Sequence, residues 1–414
     1  MTGVVIIGAS HAGVQAAASL RQAGWQDKIT LIGEETEQPY HRPPLSKAFL
    51  TGEKSAEQLS LRGEAFFRDQ EIIWLSGVRA ERLDPRARKV TTSAGVVGYD
   101  RLILATGSRA RVLAVPGAEL EGVLSLRDIA DARRLKSAIG AGGEIVIVGG
   151  GYIGLEVAAT AAKAGRKVTV LESQAELLTR SAPSEIANSL AQYHRQHGVE
   201  LRFGVTIEAI EGDAGTVRGV RLAGGERLPA DLVLVGIGGI ANAELAMEAG
   251  LELSAGGIFV DGQTQGNADG LYAIGDCATY RNPFTDSVMR LESVQNAVDQ
   301  ARAAAAHIAS QPAPPDTVPW FWSDQYDVKL QIAGIAPSGC RMILRGAPDN
   351  NAWSLVCLDG ERLAACFSIN RPADHMAARR LIAARALIDP HAATDPDIPL
   401  LKAVAASPLR PAAE

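Results

Sequence analysis

The chain has 414 residues, which at about 150 residues per domain predicts two or three domains, and 47% of them are hydrophobic, enough for packed cores. Its net charge of −6 lacks the basic excess of dedicated nucleic-acid binders. The four cysteines form no C-x-x-C pair, which excludes a secreted disulfide framework and a four-thiolate metal site, so no metal site is predicted. Without a basic leader or an unbroken apolar span of about 20 residues, we expect a cytoplasmic protein that does not cross a membrane.

The chain opens with a strand, a glycine-rich turn and a helix. The apolar run 4–7 predicts a buried parallel strand, followed by a helix over about 13–23 and a second strand at 29–32. This is a βαβ unit of the dinucleotide-binding type, although Ser10 occupies the second glycine position of the G-x-G-x-x-G fingerprint. Glu34, just after the second strand, is the acid expected to bind an adenosine ribose.

The same pattern recurs over residues 144–172. The turn here matches the fingerprint in full at Gly149, Gly151 and Gly154, which predicts close approach of the backbone to a pyrophosphate at a helix N-terminus. Glu172 lies 21 residues beyond Gly151. Its carboxylate can accept hydrogen bonds from a ribose diol and repels a 2′-phosphate, so this unit is predicted to prefer NADH over NADPH. The alternative is a solvated acid at the end of a strand.

Further strands follow both units. Apolar runs at 101–104 and 232–235 each end in a small-residue turn and predict the crossing points between two domains. A third strand, 271–274, ends in Gly275 and Asp276 before an Ala-rich helix. The proline-rich segment 311–315 then predicts a linker to a small α+β domain. The fold class predicted is α/β, with two Rossmann-like domains and this small domain.

Several segments together resemble one known family. They are the N-terminal turn 8–13, PYHRPPLSK at 39–47, ATG at 105–107, the second glycine turn, YAIGD at 272–276 and PWFWSDQY at 319–326. This set resembles the flavin-dependent NADH:ferredoxin reductases of bacterial oxygenase systems, nearly from end to end. The resemblance implies a glutathione reductase-like arrangement, with an FAD-binding domain at 1–108 and 240–318, an NAD-binding domain at 109–239 and a C-terminal domain at 319–414.

The resemblance also implies two sets of nucleotide-binding residues. The FAD set comprises Gly8, Ser10, Ala12, Gly13, Glu34, Arg42, Lys47, Val78, Ala105, Thr106, Gly107, Arg127, Gly275, Asp276, Ser293, Val294 and Trp320. The NAD set comprises Gly149, Gly151, Tyr152, Ile153, Gly154, Glu156, Glu172 and Gly238, with Tyr152 and Glu156 in the nicotinamide pocket. The family more often has a proline where this chain has Ala241, which predicts a looser loop there.

Some of these residues have purely structural interpretations as well. Lys47 could be a solvated residue beside a helix start, and Tyr152 and Trp320 could be packed core residues. Asp276 could cap the turn between its strand and an expected following helix, although there its carboxylate could also accept a sugar hydroxyl. The early region has no cysteine, which excludes dithiol chemistry against the flavin, and Cys277, directly after Asp276, is interpreted as a small buried hydrophobe.

The function implied by the resemblance is electron transfer from NADH through FAD to a small acidic 2Fe-2S ferredoxin that serves a cytochrome P450 or a ring-hydroxylating oxygenase. Hydride transfer needs positioning rather than an acid or base, so no catalytic residue is predicted. Arg302, Trp322 and Lys402 are the predicted partner surface. The alternatives are a rubredoxin reductase, an NADH oxidase, or an NADH-sensing interaction protein like apoptosis-inducing factor.

Overall fold

The computed structural model describes residues 3–405, so the extreme ends of the predicted first and last domains, 1–2 and 406–414, lie outside the described residues. The chain divides into two compact units. The first comprises residues up to Ala175 together with His194–Pro315, and the second comprises Glu176–Tyr193 together with residues from Asp316 onward. The finer division of the first unit into FAD-binding and NAD-binding domains stays a prediction.

The N-terminal βαβ unit builds the first parallel sheet. The two strands of the unit, Val4–Ile7 and Ile29–Gly33, are short, and every residue in them is buried. This is expected of β-branched runs that are covered on both faces of a sheet. The sheet order is Leu271–Ala273, Arg101–Leu104, Val4–Ile7, Ile29–Gly33 and Ile72–Ser76. The order reverses between the second and third of these strands, which places a ligand crevice at their carboxyl ends.

The second βαβ unit builds a matching parallel sheet. Its order is Glu200–Phe203, Lys167–Glu172, Glu144–Val148, Leu232–Val235 and Val123–Leu124. The order again reverses beside the strand that leads into the glycine turn, between the third and fourth strands. The two predicted nucleotide-binding folds are therefore confirmed as parallel sheets, each with a switch point beside the strand that leads into its glycine turn.

Helices pack on these sheets, and the predicted helices of the two βαβ units and the predicted Ala-rich helix are among them. The helix Val294–Ile308 begins after Ser293, whose Oγ accepts a hydrogen bond from Asn296 N, and its Ala-rich face packs on the helix His11–Gln22 in one core cluster. The α-helices are His11–Gln22, Ala48–Thr51, Glu64–Asp69, Ile129–Ala141, Tyr152–Lys163, Ser184–Gln196, Glu244–Glu248, Val294–Ile308, Pro372–Ala383 and Pro390–Thr394. The 3-10 turns are Pro43–Ser46, Glu57–Leu59, Gly275–Cys277, Pro348–Asn350 and Leu400–Lys402.

Smaller sheets complete the first unit, and two expectations are wrong there. Ala241 does not lie in a loose loop: Gly239–Ala241 pairs antiparallel with Ser108–Ala110, and Ala241 is buried. Asp276 lies in a 3-10 turn that leads directly into a strand rather than a helix. The small sheets contain Ala80–Asp84, Lys89–Thr92 and Gly95–Gly98; Ser108–Ala110 and Gly239–Ala241; Ile207–Asp213, Thr216–Leu222 and Arg227–Pro229; and Leu253–Ser254, Gly257–Phe259, Ala278–Arg281 and Val288–Met289.

The second unit is built on an antiparallel sheet, which confirms the predicted α+β character of the C-terminal region. The sheet order is Trp320–Gln325, Val328–Gly334, Arg362–Ile369, Ala352–Asp359 and Arg341–Ala347. Its core contains a buried ion pair in which Arg345 Nε lies 3.0 Å from Asp374 Oδ2. The Arg345 guanidinium also donates to the carbonyl oxygens of Ala393 and Ile398, so it ties the segment after the last helix to the sheet.

Candidate functional site

The first glycine turn is a tight backbone cradle between two strand ends. A Cβ on Gly8 would lie 2.1 Å from the carbonyl oxygen of Ala105, and one on Gly13 would lie 1.8 Å from that of Gly8. Only glycine fits at both positions. Ser10 is the N-cap residue of the helix that follows, but its side chain makes no capping hydrogen bond. The first N–H groups of the helix therefore remain available to an anion, which fits the pyrophosphate of a dinucleotide.

Arg42 reaches this turn from the segment between the second strand and the helix Ala48–Thr51. Its Nε donates to Ser10 Oγ over 3.1 Å, and its Nη1 donates to the carbonyl oxygen of Arg127 over 2.7 Å. Its Nη2 forms an ion pair with Glu35. The predicted FAD residues Ser10, Arg42 and Arg127 are therefore brought together around one helix N-terminus.

Asp276 closes the same site from the opposite strand end. Its Oδ2 lies 2.9 Å from Arg127 Nη2 and accepts a hydrogen bond from Ser108 Oγ over 3.1 Å. The carboxylate is about four-fifths buried, with 19% of the side chain exposed. These two partners come from other parts of the chain, and they make the Asp276 carboxylate a candidate polar wall of the crevice.

The second glycine turn repeats the cradle and adds a carboxylate. A Cβ on Gly149 would lie 2.5 Å from the carbonyl oxygen of Gly236, whereas one on Gly151 would have that oxygen at 3.9 Å as its only neighbour within 4 Å. Gly151 therefore faces open space, as backbone that approaches a pyrophosphate should. Glu172 Oε2 accepts a hydrogen bond from Gly150 N over 2.7 Å, so the predicted ribose acid lies directly on the turn.

Lys47 and Glu156 connect the neighbourhoods of the two turns. Lys47 Nζ lies 2.6 Å from Glu156 Oε2, and Ser46 Oγ donates a hydrogen bond to the same carboxylate over 2.5 Å. Glu156 is buried on the helix Tyr152–Lys163, and the Lys47 side chain is only 22% exposed. The alternative of a solvated Lys47 is therefore wrong.

The remaining predicted residues of the first unit differ in their burial and in their contacts. Thr106 forms two hydrogen bonds with Asn242. The Asn242 side-chain Nδ2 donates to the backbone carbonyl oxygen of Thr106, and the backbone carbonyl oxygen of Asn242 accepts from Thr106 Oγ1. Glu34 is 69% exposed and lies 3.6 Å from Arg79, so it does not repeat the contact that Glu172 makes with its turn. Ala105, Gly275 and Gly154 are buried, Ala12 is buried in the first helix, Val78, Gly107, Tyr152, Ser293 and Val294 are half-buried, and Ile153 and Gly238 are exposed.

The predicted partner residues are distributed over both units. Arg302 is exposed on the helix Val294–Ile308 and lies 3.9 Å from Asp299 Oδ1. In the second unit, Lys402 is exposed and Trp322 lines a groove of about 310 Å³. Trp320 is half-buried there, and its indole packs against Trp322 and under the guanidinium of Arg379.

Several residues of the site were missed by sequence reasoning. They are His11, Glu35, Ser46, Ser108 and Gln300; Gln300 Oε1 accepts a hydrogen bond from Gly275 N over 2.7 Å. Four of the five are sequence neighbours of a predicted site residue, and Gln300 lies in the middle of the helix Val294–Ile308. Adjacency to a motif could therefore have indicated those four. Which polar side chains become partners, however, depends on tertiary contacts rather than on spacing in the sequence.

Comparison with known proteins identifies the family. Residues 2–301 match the model described as "Pyridine nucleotide-disulphide oxidoreductase", and residues 320–404 match "Reductase C-terminal". The chain belongs to the pyridine nucleotide-disulphide oxidoreductase family. Rhodocoxin reductase of Rhodococcus erythropolis is 42% identical, over 97% of this chain and 94% of that protein.

Solved structures of this oxidoreductase family superpose on the chain almost completely. A ferredoxin reductase from Rhodopseudomonas palustris gives a TM-score of 0.94 at 40% identity, covering 98% of this chain and 100% of its own. Putidaredoxin reductase in its covalent complex with putidaredoxin gives 0.93 at 38% identity, covering 96% and 97%. The predicted resemblance, the α/β fold, the oxidoreductase class and the cofactors FAD and NADH are thereby confirmed.

The name of this oxidoreductase family refers to disulphide chemistry, but the cysteines here are all free thiols. Cys277 is completely buried, which raises the pKa of its thiol, as expected of a small packed residue rather than a nucleophile. Among residues 3–405, no group of three or more His, Cys, Asp or Glu side chains is arranged to hold a metal ion. Within the same range, no helix has both the length and the apolar character to span a bilayer.

Proposed function

We propose that this chain carries electrons from NADH, through FAD, to a small acidic 2Fe-2S ferredoxin that serves a cytochrome P450 or a ring-hydroxylating oxygenase. The observation that carries the proposal is the structural similarity, over nearly the whole chain, to putidaredoxin reductase, a protein whose solved complex contains putidaredoxin. The two glycine cradles within one compact unit support it, because hydride transfer requires two dinucleotides to be held close together.

In this proposal the first cradle holds FAD, within a domain formed by residues 1–108 and 240–318. The helix N-terminus after Ser10 and the Arg42 guanidinium bind the pyrophosphate, and Asp276 accepts hydrogen bonds from the ribitol hydroxyls. The other members of the predicted FAD set complete its walls. Bound flavin supplies the chemistry, since it accepts two electrons together and releases them singly.

The second cradle, in a domain formed by residues 109–239, takes NADH. Glu172 accepts hydrogen bonds from the adenosine ribose while it also holds Gly150 N, so a 2′-phosphate would face an anion that is fixed in place. The ion pair between Lys47 and Glu156 is proposed to position the nicotinamide side. No general acid or base is required, because hydride transfer depends on alignment of the two rings.

The partner surface is proposed to include Arg302, Trp322 and Lys402. Arg302 projects from the helix that begins at Ser293 and Val294, two residues of the proposed FAD site. Its exposed guanidinium suits a transient encounter with an acidic ferredoxin, which is steered by charge and buries little surface. Trp320, in the C-terminal domain from 319, is proposed to contact the flavin. A reducing, cytoplasmic location is also proposed, supported by the four free thiols.

The test is anaerobic stopped-flow spectroscopy of the purified flavoprotein. Flavin absorbance is followed on mixing with NADH or NADPH, and then on mixing with an oxidised 2Fe-2S ferredoxin or with a rubredoxin. Fast bleaching by NADH and rapid recovery of absorbance with the ferredoxin are expected. Recovery with rubredoxin or oxygen alone would assign the chain to the rubredoxin reductases or NADH oxidases. A long-lived reduced complex that no acceptor reoxidises would favour a redox-sensing protein, and absence of bound flavin would overturn the proposal.

A further inference from the structure

One polar side chain at the first cradle has no role in the site as described so far. His11 is the first residue of the helix His11–Gln22, directly after Ser10. Its Nε2 is completely buried and has no hydrogen-bond partner among the described residues. A buried ring nitrogen without a partner carries a desolvation cost, so it marks a position where a ligand group can restore a hydrogen bond.

The charged groups around His11 are already paired with one another. Arg42 forms an ion pair with Glu35, and Arg127 forms one with Asp276. The remaining neighbour is His41, whose ring centroid lies 5.4 Å from that of His11 in an edge-on arrangement. Because both guanidinium groups already balance a carboxylate, the two negative charges of a dinucleotide pyrophosphate are not matched by these cations alone.

The same surroundings keep the His11 imidazole neutral. Burial, followed by the positive charges of His41 and Arg42, lowers the pKa of His11 to about 4, with Asp276 acting in the opposite direction and Arg127 in the same one. At neutral pH His11 is therefore unprotonated before a ligand is bound. A pyrophosphate beside it would favour the protonated form and so raise its pKa.

We propose that His11 is a further FAD-binding residue, which takes up one proton from solvent when FAD binds and donates an N–H group to the pyrophosphate. This inference rests on the proposed function, since it places FAD in the first cradle. Protonated His11 then adds a third cation to the guanidinium groups of Arg42 and Arg127. Because His11 is neutral when the cofactor is absent, the free protein carries no unpaired buried charge at this position. Proton uptake makes FAD affinity depend on pH, with tighter binding at lower pH.

The experiment measures release of FAD from the holoenzyme. Holoenzyme is diluted in steps at pH values from 5.5 to 8, and free FAD is quantified by its fluorescence to give Kd at each pH. In the unmodified protein Kd should rise with pH, by up to about tenfold per pH unit over the range in which His11 is protonated in the complex but not in the free protein. His11→Gln keeps a hydrogen-bond donor but cannot titrate, so its Kd should be about tenfold higher at pH 6 and nearly independent of pH.

His41→Gln is the matched control, because it removes the neighbouring ring and leaves His11 in place. It should keep the rise of Kd with pH. The inference is overturned if the unmodified protein binds FAD with the same Kd across this range, or if His11→Gln keeps the full slope. A slope that disappears in His41→Gln but not in His11→Gln also overturns it. Failure to bind FAD at any pH would instead overturn the proposed function and this inference with it.

Discussion

Lys47 Nζ lies 2.6 Å from Glu156 Oε2, and this ion pair is one of the direct contacts between the segment after the 3-10 turn Pro43–Ser46 and the helix that begins at the second glycine turn. The Glu156 side chain is only 6% exposed, and Lys47 and the hydroxyl of Ser46 both contribute to compensating its charge. Two consequences are expected of this contact: it holds the segment that contains Lys47 against the helix of the second βαβ unit, and it fixes two side chains that are proposed to position the nicotinamide.

Lys47→Met is expected to lower both stability and the rate of flavin reduction. Removal of the ammonium leaves a buried carboxylate without its cation, which costs about 3 kcal/mol of the free energy of unfolding. Loss of alignment worth about 1.4 kcal/mol would slow reduction by NADH about tenfold. Chemical denaturation and anaerobic stopped-flow absorbance measure the two effects separately.

Two variants separate packing from positioning in that experiment. Lys47→Met combined with Glu156→Leu replaces the pair by apolar groups and should recover most of the stability but not the reduction rate. Lys167→Met breaks an exposed pair with Glu144, in which the lysine side chain is 65% exposed, and should cost less than about 1 kcal/mol with no change in rate. If the double variant also recovers the rate, the pair has no positioning role.

Glu172→Gln is expected to relax discrimination against NADPH. The amide keeps an oxygen for Gly150 N but removes the negative charge that faces a 2′-phosphate, so the ratio of kcat/KM for NADH to that for NADPH should fall at least about tenfold. Glu200→Gln, on the next strand of the same sheet and paired with Arg202, is the control and should leave the ratio unchanged. An unchanged ratio in Glu172→Gln would show that the charge of Glu172 does not discriminate against NADPH and that the residue only shapes the turn.

Gly13→Ala is expected to abolish FAD binding. The added Cβ would lie 1.8 Å from the carbonyl oxygen of Gly8, so the helix must move away from the strand that it follows. Gly140→Ala is a matched control within another helix, where a Cβ has no neighbour within 4 Å, and it should raise stability by up to about 1 kcal/mol. The ratio of flavin to protein absorbance after purification checks FAD binding in both variants, and chemical denaturation checks the stability of Gly140→Ala. A yellow Gly13→Ala protein with normal flavin content would contradict the proposed cradle.

The fold was predictable from sequence because its signals are local. A buried run such as 4–7 followed by glycines fixes strand, turn and helix within about 20 residues, and the structure places those elements within one or two residues of the prediction. Side-chain partners were not predictable in the same way. Lys47 pairs with a residue more than 100 positions later, and a hydrogen bond of this kind depends on how two sheets pack rather than on any local period.

The misplaced expectations have the same origin. Ala241 suggested a loose loop because it lacks the constraint of proline, yet the antiparallel pairing with Ser108 supplies that constraint from a distant strand. Asp276 was expected before a helix, but the chain enters the strand Ala278–Arg281 instead. In both cases a pairing partner from elsewhere in the chain decided the local conformation, which a single sequence read in order does not reveal.

His375 should make the stability of the second unit depend on pH. It is only 2% exposed and packs edge-on against Trp320, with ring centroids 5.8 Å apart. Burial, followed by the charge of Arg379, lowers the pKa of His375 from 6.5 to about 4. Between these two values the unfolded chain binds a proton that the folded chain excludes. The contribution of His375 is therefore fully present above pH 6.5 and is lost as the pH falls towards 4.

His375→Phe keeps an aromatic ring against Trp320 and removes the titration. Relative to this variant, the unmodified protein should lose about 2 kcal/mol of unfolding free energy between pH 7 and pH 5. Denaturant unfolding followed by circular dichroism at both pH values gives the difference. His391→Asn, at an exposed histidine on the helix Pro390–Thr394, should retain the pH dependence of the unmodified protein. Equal pH dependence in His375→Phe and in the unmodified protein would mean that His375 protonates without opening the fold, because its ring reaches solvent in the native state.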